Sequence, residues 1–428
     1  MDMVSENVEV EEIEPEDPIE IEPVYPEMVT VYDNISILET NRFDLNNSGI
    51  LTQEFLDDHN ESISFNFAGT ILLNNDLTFN NTLILSNDQE DDLVLDCQGH
   101  SITFDFSAGN QSAIWVENSN LVRNCDVISD FSEEISYNNT SGIVLVDSSS
   151  GFNCVVKNDI IANEEFIFRR GFWIIDESHS EQSISKRNYT GFVLYDNAFS
   201  ENCIARYNHE SGFKLSNESS LNDCSAGPAN DIGFELYDSS YVEDSEAKQN
   251  NDIGFELQNN SVAENCYAND NGTGVKLAQV SSSQLINSEV AHNDSTGIFI
   301  YQGTQIINNV EVRANGFYDP ITGEGAAGIE VYQNGNFENP EVQVILSNSD
   351  VHDNDVGAFL GGTLTTDSAF CGNEYIDLVE YGITYENTPT INLDVLYPIS
   401  HYGTRNIVSC NGLTNSISKL NIVNSSNK

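Results

Sequence analysis

Apolar and polar residues alternate in short runs along most of the chain, and one such run keeps returning behind a glycine. It reads Gly191-Phe-Val-Leu-Tyr-Asp196, Gly212-Phe-Lys-Leu-Ser-Asn217, Gly233-Phe-Glu-Leu-Tyr-Asp238, Gly254-Phe-Glu-Leu-Gln-Asn259 and Gly274-Val-Lys-Leu277. Alternation over so few residues predicts β-strands, with Phe and Leu on the inward pleats. Anchoring each unit on the small residue before its apolar strand gives Ala113, Gly142, Gly171, Gly191, Gly212, Gly233, Gly254, Gly274, Gly297, Gly328 and Gly357, with Gly382 as a further candidate. The eleven anchors stand 20–31 residues apart, with Asn, Asp, Gly and Ser clusters between strands and no helical periodicity. Units built only of strand and turn at this length predict an all-β solenoid, a parallel β-helix of about eleven coils.

Residues at equal offset should then lie above one another. Three places before the anchors stand Asn110, Asn139, Asn188, Asn230, Asn251, Asn271 and Asn354, with His209 once in the row. Stacked amides can hydrogen-bond along the rod, and Asn tolerates the left-handed turn conformation. Cys203, Cys224, Ser245, Cys266 and Ser288 form a small-residue column suited to a buried row of reduced thiols. The expected division is a solvated acidic, Pro-rich tail at 1–30, an N-terminal cap at 31–95, the β-helix at 96–362 and a C-terminal cap at 363–428.

The segment Leu93-Val-Leu-Asp-Cys-Gln-Gly-His-Ser-Ile102 and the phrases Asn202-Cys-Ile-Ala205 and Asn265-Cys-Tyr-Ala268 resemble the coils of NosD-like right-handed parallel β-helix proteins, over residues 66–362. The resemblance implies a right-handed solenoid. It implies little about activity, because the family spans surface proteins, glycan-active enzymes and a periplasmic protein tied to copper-site maturation. Copper would need clustered Met, His or Cys. The three Met lie within the first 28 residues and the seven His are scattered singly. Gly316-Phe-Tyr-Asp-Pro320 is similar to the catalytic turn of mannuronan epimerases, but Ile321 and Thr322 stand where that motif continues with a histidine and an acid, so no role transfers.

Charge narrows the partners. With 69 acidic against 15 basic residues the formal charge is −54, which opposes nucleic acid, anionic lipid and polyanions unless a cation intervenes, and favours solubility or divalent cations. Calcium is the expected ion if one binds, with Asp176, Asp196 and Asp238 in one turn column as its ligands. No apolar window approaches the ~20 residues of a membrane span. No basic-then-apolar leader opens at Met1, which leaves either an intracellular protein or one whose export signal is not visible in the chain; an extracellular or cell-surface location is expected.

Two sites compete for chemistry. Lys214, Glu235, Glu256 and Lys276 follow one another two places after their anchors, predicting Lys214–Glu235 and Glu256–Lys276 pairs on an outward charge ladder. Two neighbouring carboxylates would also suit a retaining glycosidase, but the lysines keep both ionised where the acid needs a raised pKa. The second site lies where the period lengthens, at 315–325 and 334–340. Insertions in repeat proteins gather on a binding face, and these bring Phe317, Tyr318, Asp319, Glu324, Phe337 and Glu338 toward outward Tyr301 and Tyr332. The expected function is glycan binding or presentation without catalysis. The alternatives are a polysaccharide lyase or glycoside hydrolase on the same face and a structural fibre.

Overall fold

Strands this short cannot satisfy their backbone groups with chain neighbours, so each pairs with the equivalent strand one coil away. The computed structural model describes residues 28–31, 48–59, 61–87, 92–104, 112–129, 140–158, 168–278, 282–316, 318–319, 324–332, 342–360, 363–366, 368–370, 373, 376–380, 391–393 and 401–402. Three parallel sheets result: sheet A of 16 strands from Met28–Val31 to His401–Tyr402, sheet B of 15, and sheet C of 13. One coil visits them in turn, as Ser211–Leu215, Ser220–Asn222 and Ser225–Ala226 do. The chain is an all-β, right-handed parallel β-helix. Sixteen strands at ~4.8 Å make sheet A about 70 Å tall.

The stack is longer than the eleven anchors foretold. Sheets A, B and C already run through Ser62–Phe65, Gly69–Leu73 and Leu77–Phe79, inside the segment expected to cap the N-terminal end. The helix Gln53–Asp57, capped by the Thr52 hydroxyl, buries Phe55 and Leu56 beneath those coils instead. At the other end Ile376–Glu380 extends sheet A and aligns Asp377, not Gly382, with the anchor row. Gly382 and the tail at 1–27 lie outside the described residues.

The inward columns are as the repeat predicts. Phe172, Phe192, Phe213, Phe234 and Phe255 are fully buried and stack with centroids 4.6–5.0 Å apart and planes within 11°. Each buries on the order of 1.5–3 kcal/mol of apolar surface. The anchors are glycine because a Cβ at Gly191 would meet the Gly212 carbonyl oxygen at 2.3 Å and the Asn208 amide at 2.8 Å.

That amide belongs to a buried asparagine ladder of Asn208, Asn230, Asn250, Asn271, Asn293, Asn315, Asn354 and Asn373, each Nδ2 donating to the next Oδ1 at 2.8–3.1 Å. The expected column was one residue off in two coils, naming His209 and Asn251. The left-handed residue is the one before the asparagine, Tyr207 (φ 58) and Gln249 (φ 57) among them. Asparagine is selected here for its amide and not for its backbone.

The Cys/Ser column is buried as well. Ser245 Oγ donates to the Glu243 carbonyl at 2.8 Å and accepts the Cys224 N–H at 3.1 Å, and Ser288 repeats the arrangement with Cys266. Burial pushes the Cys154 and Cys266 thiols up to about 12, so these are packing groups. The row nevertheless opens with a disulfide, Cys97–Cys125, joining adjacent coils across a Cα separation of 4.8 Å. The packing reading had not foreseen it.

Candidate functional site

Alternation along sheet A turns the residues two and four places after each anchor outward. In register they run Trp115, Val144, Trp173, Val193, Lys214, Glu235, Glu256, Lys276, Phe299 and Glu330. The face therefore has three zones. The first is apolar: Ile84, Trp115, Val144 and Val146 form a small cluster of their own, with Trp173 and Ile175 against it.

The central zone holds the expected ion pairs. Lys214 Nζ lies 3.0 Å from Glu235 and Lys276 Nζ 2.8 Å from Glu256. It is not the exposed ladder anticipated, because Glu235 and Glu256 are only 4% and 7% exposed. Further donors hold them: Ser211 donates to the other oxygen of Glu235 and the Tyr237 hydroxyl to the one that Lys214 contacts, while Gln258 shares with Lys276 one oxygen of Glu256. Burial alone would lower the Lys214 pKa, but Glu235 outweighs it and raises it. Burial and then Glu235 push the Tyr237 phenol well above its ordinary value. Both lysines, both carboxylates and the Tyr237 hydroxyl are bonded to one another or to Ser211 and Gln258, which describes a buried structural network.

The third zone is different. Tyr301 and Tyr332 stack on adjacent coils with centroids 5.8 Å apart and planes 7° apart, and Phe299 lies 6.3 Å from Tyr332. Tyr332 is 47% exposed. Between these rings, Glu330 is half-buried and accepts a hydrogen bond from Thr296 at 3.1 Å. Burial raises its pKa, and no cation faces it among the described ion pairs. Sequence reasoning named Tyr301 and Tyr332 but missed Phe299, Glu330 and Thr296. The signal was present, since Phe299 and Glu330 continue the column of Lys276.

The long insertions do not share one corner. Residues 316–327 connect sheet C to sheet A, whereas 333–341 connect sheet A to sheet B, so they leave from opposite edges of the aromatic zone. Tyr318–Asp319 pairs antiparallel with Glu324–Gly325, placing Tyr318, Asp319 and Glu324 on a two-stranded ladder at the first edge. Phe317, Phe337 and Glu338 lie outside the described residues.

Asp176 and Asp196 occupy left-handed turn positions on neighbouring coils, with Asn217 interposed before Asp238. Burial and then Asp147 raise the Asp176 pKa. Asn217 and Asn259 donate to Asp196 and Asp238 at 2.9 and 3.0 Å. Among the described residues no three His, Cys, Asp or Glu side chains converge as a metal set.

On sheet C an open recess of about 440 Å³, missed by sequence reasoning, is lined by Tyr267, Glu289, Glu311 and Asp350, one above another. Arg313 bridges Glu289 and Glu311, and His352 contacts Glu311 at 3.2 Å and Asp353 at 2.8 Å. Burial would lower the His352 pKa, but Asp353 and Asp350 prevail and raise it. These charges satisfy one another.

Residues 221–365 match the family profile described as "Right handed beta helix region". No curated protein matches the chain. Among solved structures, a mutant of a periplasmic alginate epimerase shares 12% identity over 80% of this chain and 77% of its own, with a TM-score of 0.44. The catalytic domain of a GH87 alpha-1,3-glucanase in complex with nigerose shares 13% over 76%, with a TM-score of 0.47, and the chain spans 63% of it. The Azotobacter vinelandii mannuronan C-5 epimerase A-module shares 16% over 80% of this chain and 91% of its own, at 0.40.

Proposed function

We propose that the outer face of sheet A between Thr296 and Tyr332 binds a neutral carbohydrate chain, and that the protein serves as a glycan-binding β-helix outside the cell or at its surface. The observation that carries this reading is the coplanar Tyr301–Tyr332 pair on adjacent coils. Parallel rings fixed by a rigid sheet offer flat apolar faces to sugar C–H groups at little conformational cost. Glu330 and Thr296 beside them supply groups that orient hydroxyls. The surrounding acidity and Glu330 itself disfavour an anionic sugar at this place. A Cys97–Cys125 bridge fits an oxidising compartment.

The raised pKa of Glu330 supports a second reading, glycoside hydrolysis with Glu330 as the acid. A panel of neutral glycans, offered with and without calcium, separates the two. Saturable binding with intact products supports the binder; shortened products that disappear in Glu330→Gln establish the hydrolase. A calcium requirement would assign the Asp176, Asp196 and Asp238 row a ligand. Absence of binding to every neutral glycan overturns both.

A further inference from the structure

A folded chain leaves few buried donors without an acceptor, and a charged one least of all. On the outer face of sheet A three such groups meet on adjacent coils. Arg170 is only 8% exposed, and its guanidinium Nη1 is buried with no hydrogen-bond partner. Its Cζ lies 4.5 Å from the centroid of the Trp173 ring, whose Nε1 is also buried and unpartnered. Ser141 stands beside Arg170 in register one coil away, with its Oγ in the same condition. This place, one residue before the anchor, faces outward: Ser211 holds it two coils on and donates to the outer Glu235.

Elsewhere on this sheet the protein compensates its cations. Lys214 and Lys276 each hold a carboxylate, at 3.0 and 2.8 Å, and are less buried than Arg170. Arg170 enters no ion pair among the described residues. Burial lowers its pKa; Tyr195 acts in the opposite direction and Arg169 in the same one, and neither is a carboxylate. A guanidinium taken out of water without a counter-ion costs stability, and stacking on an indole recovers only part of that. With 69 acids against 15 bases, the lack of a partner is not for want of carboxylates in the chain. The missing group is an acceptor from outside.

We propose that Arg170, Trp173 and Ser141 bind the carboxylate of a small organic acid, whose apolar body rests on Trp173 and Ile175. One cation flanked by two neutral donors matches a single charge shared over two oxygens, and the planar guanidinium fork suits carboxylate geometry. Sulfate or phosphate would carry a further negative charge into a place already short of solvent. The near-complete burial of Arg170 admits one small group and no polymer strand. Trp173 and Ile175 are partly covered and pack on the apolar cluster of Val144 and Val146, so they favour an aliphatic or aromatic acid. The −54 field is screened beyond ~8 Å at physiological salt, where a contact at hydrogen-bond distance decides. Six strand steps along sheet A, roughly 30 Å, separate Arg170 from Phe299, so this site does not rest on the glycan reading.

The test is titration of the full chain with sodium benzoate, hexanoate and acetate, against chloride, sulfate and phosphate at matched ionic strength and neutral pH. Melting temperature and intrinsic fluorescence are read together, since Trp173 is one of only two tryptophans. Benzoate and hexanoate should raise the melting temperature and change the emission saturably, acetate more weakly, and the inorganic anions not at all. Arg170→Gln should weaken the carboxylate response about tenfold or more. Without carboxylate it should melt no lower than the parent, because it removes an uncompensated buried charge. Should that variant fail to fold, Trp173→Phe keeps a ring and loses the N–H, and its melting response to benzoate must fall about threefold or more. An equal response to chloride, or tighter binding of sulfate or phosphate, overturns the proposal. So does an undiminished response in the folded variants, an Arg170→Gln that melts equally far below the parent with and without benzoate, or no response to any carboxylate.

Discussion

The coils at 211–277 and those at 297–332 continue one inward apolar column but diverge on the outer face of sheet A and in the insertion at 316–327. In the first, Lys214, Glu235, Tyr237, Glu256, Gln258 and Lys276 bond one another, and the carboxylates are nearly inaccessible. In the second, the same positions hold Phe299, Tyr301, Glu330 and Tyr332, stacked, partly exposed and without a cation beside the acid. A polar group whose partners are all internal has nothing left to offer a ligand; one with unspent surface has. On the proposed reading, regularity marks structure and its failure marks the site.

Substitutions can sharpen or break that contrast. The largest effect should come from Phe213→Ala, which opens a gap in the ring stack and should cost ~3–5 kcal/mol by chemical denaturation while leaving glycan affinity unchanged. Loss of glycan binding in the folded variant would mean the regular coils are not merely support. Lys214→Met comes next. It leaves Glu235 buried without its cation and should cost about 2 kcal/mol, below the usual ~3–5 because Lys214 keeps 32% exposure. A neutral outcome would show the network to be solvated and the two zones alike.

Smaller effects depend on pH. The folded pKa of Glu330 lies above the ordinary 4.5, so this group lowers stability as pH rises from that value through its folded one. Glu330→Gln should therefore melt higher than the parent at neutral pH and equally at acidic pH, by no more than ~0.5–1 kcal/mol after solvent screening. His352 has the opposite sign of effect. Its folded pKa is above 6.5, so its stabilisation is complete below that value and lost as pH rises through the folded one. His352→Gln should lower the melting temperature in mild acid, by less than ~1 kcal/mol, and match the parent at alkaline pH.

The inward half of this architecture was written plainly in the chain. Phe and Leu at fixed offsets gave the sheet A register, and Lys214–Glu235 and Glu256–Lys276 followed from it. Burial did not follow, because Ser211, Tyr237 and Gln258 close over the acids from positions that look like ordinary surface. The asparagine row slipped in the coils of Asn208 and Asn250, where one more residue separates the ladder from its glycine. Interval lengths also could not say which of three corners an insertion occupies, so those at 315–325 and 334–340 were expected together, whereas one links sheet C to sheet A and the other sheet A to sheet B. The Arg313 and His352 cluster was hidden by the 39-residue interval between Glu311 and Asp350, which conceals that the two are neighbours.

Hydrogen–deuterium exchange of the full chain, with and without a saturating neutral glycan, bears most directly on the claim that binding resides where the repeat fails. Protection should appear in the peptides covering Thr296 to Gly303 and Ile329 to Tyr332, and exchange at 211–277 should be unchanged. Protection centred on 211–277, with none around Tyr301 and Tyr332, would contradict the account.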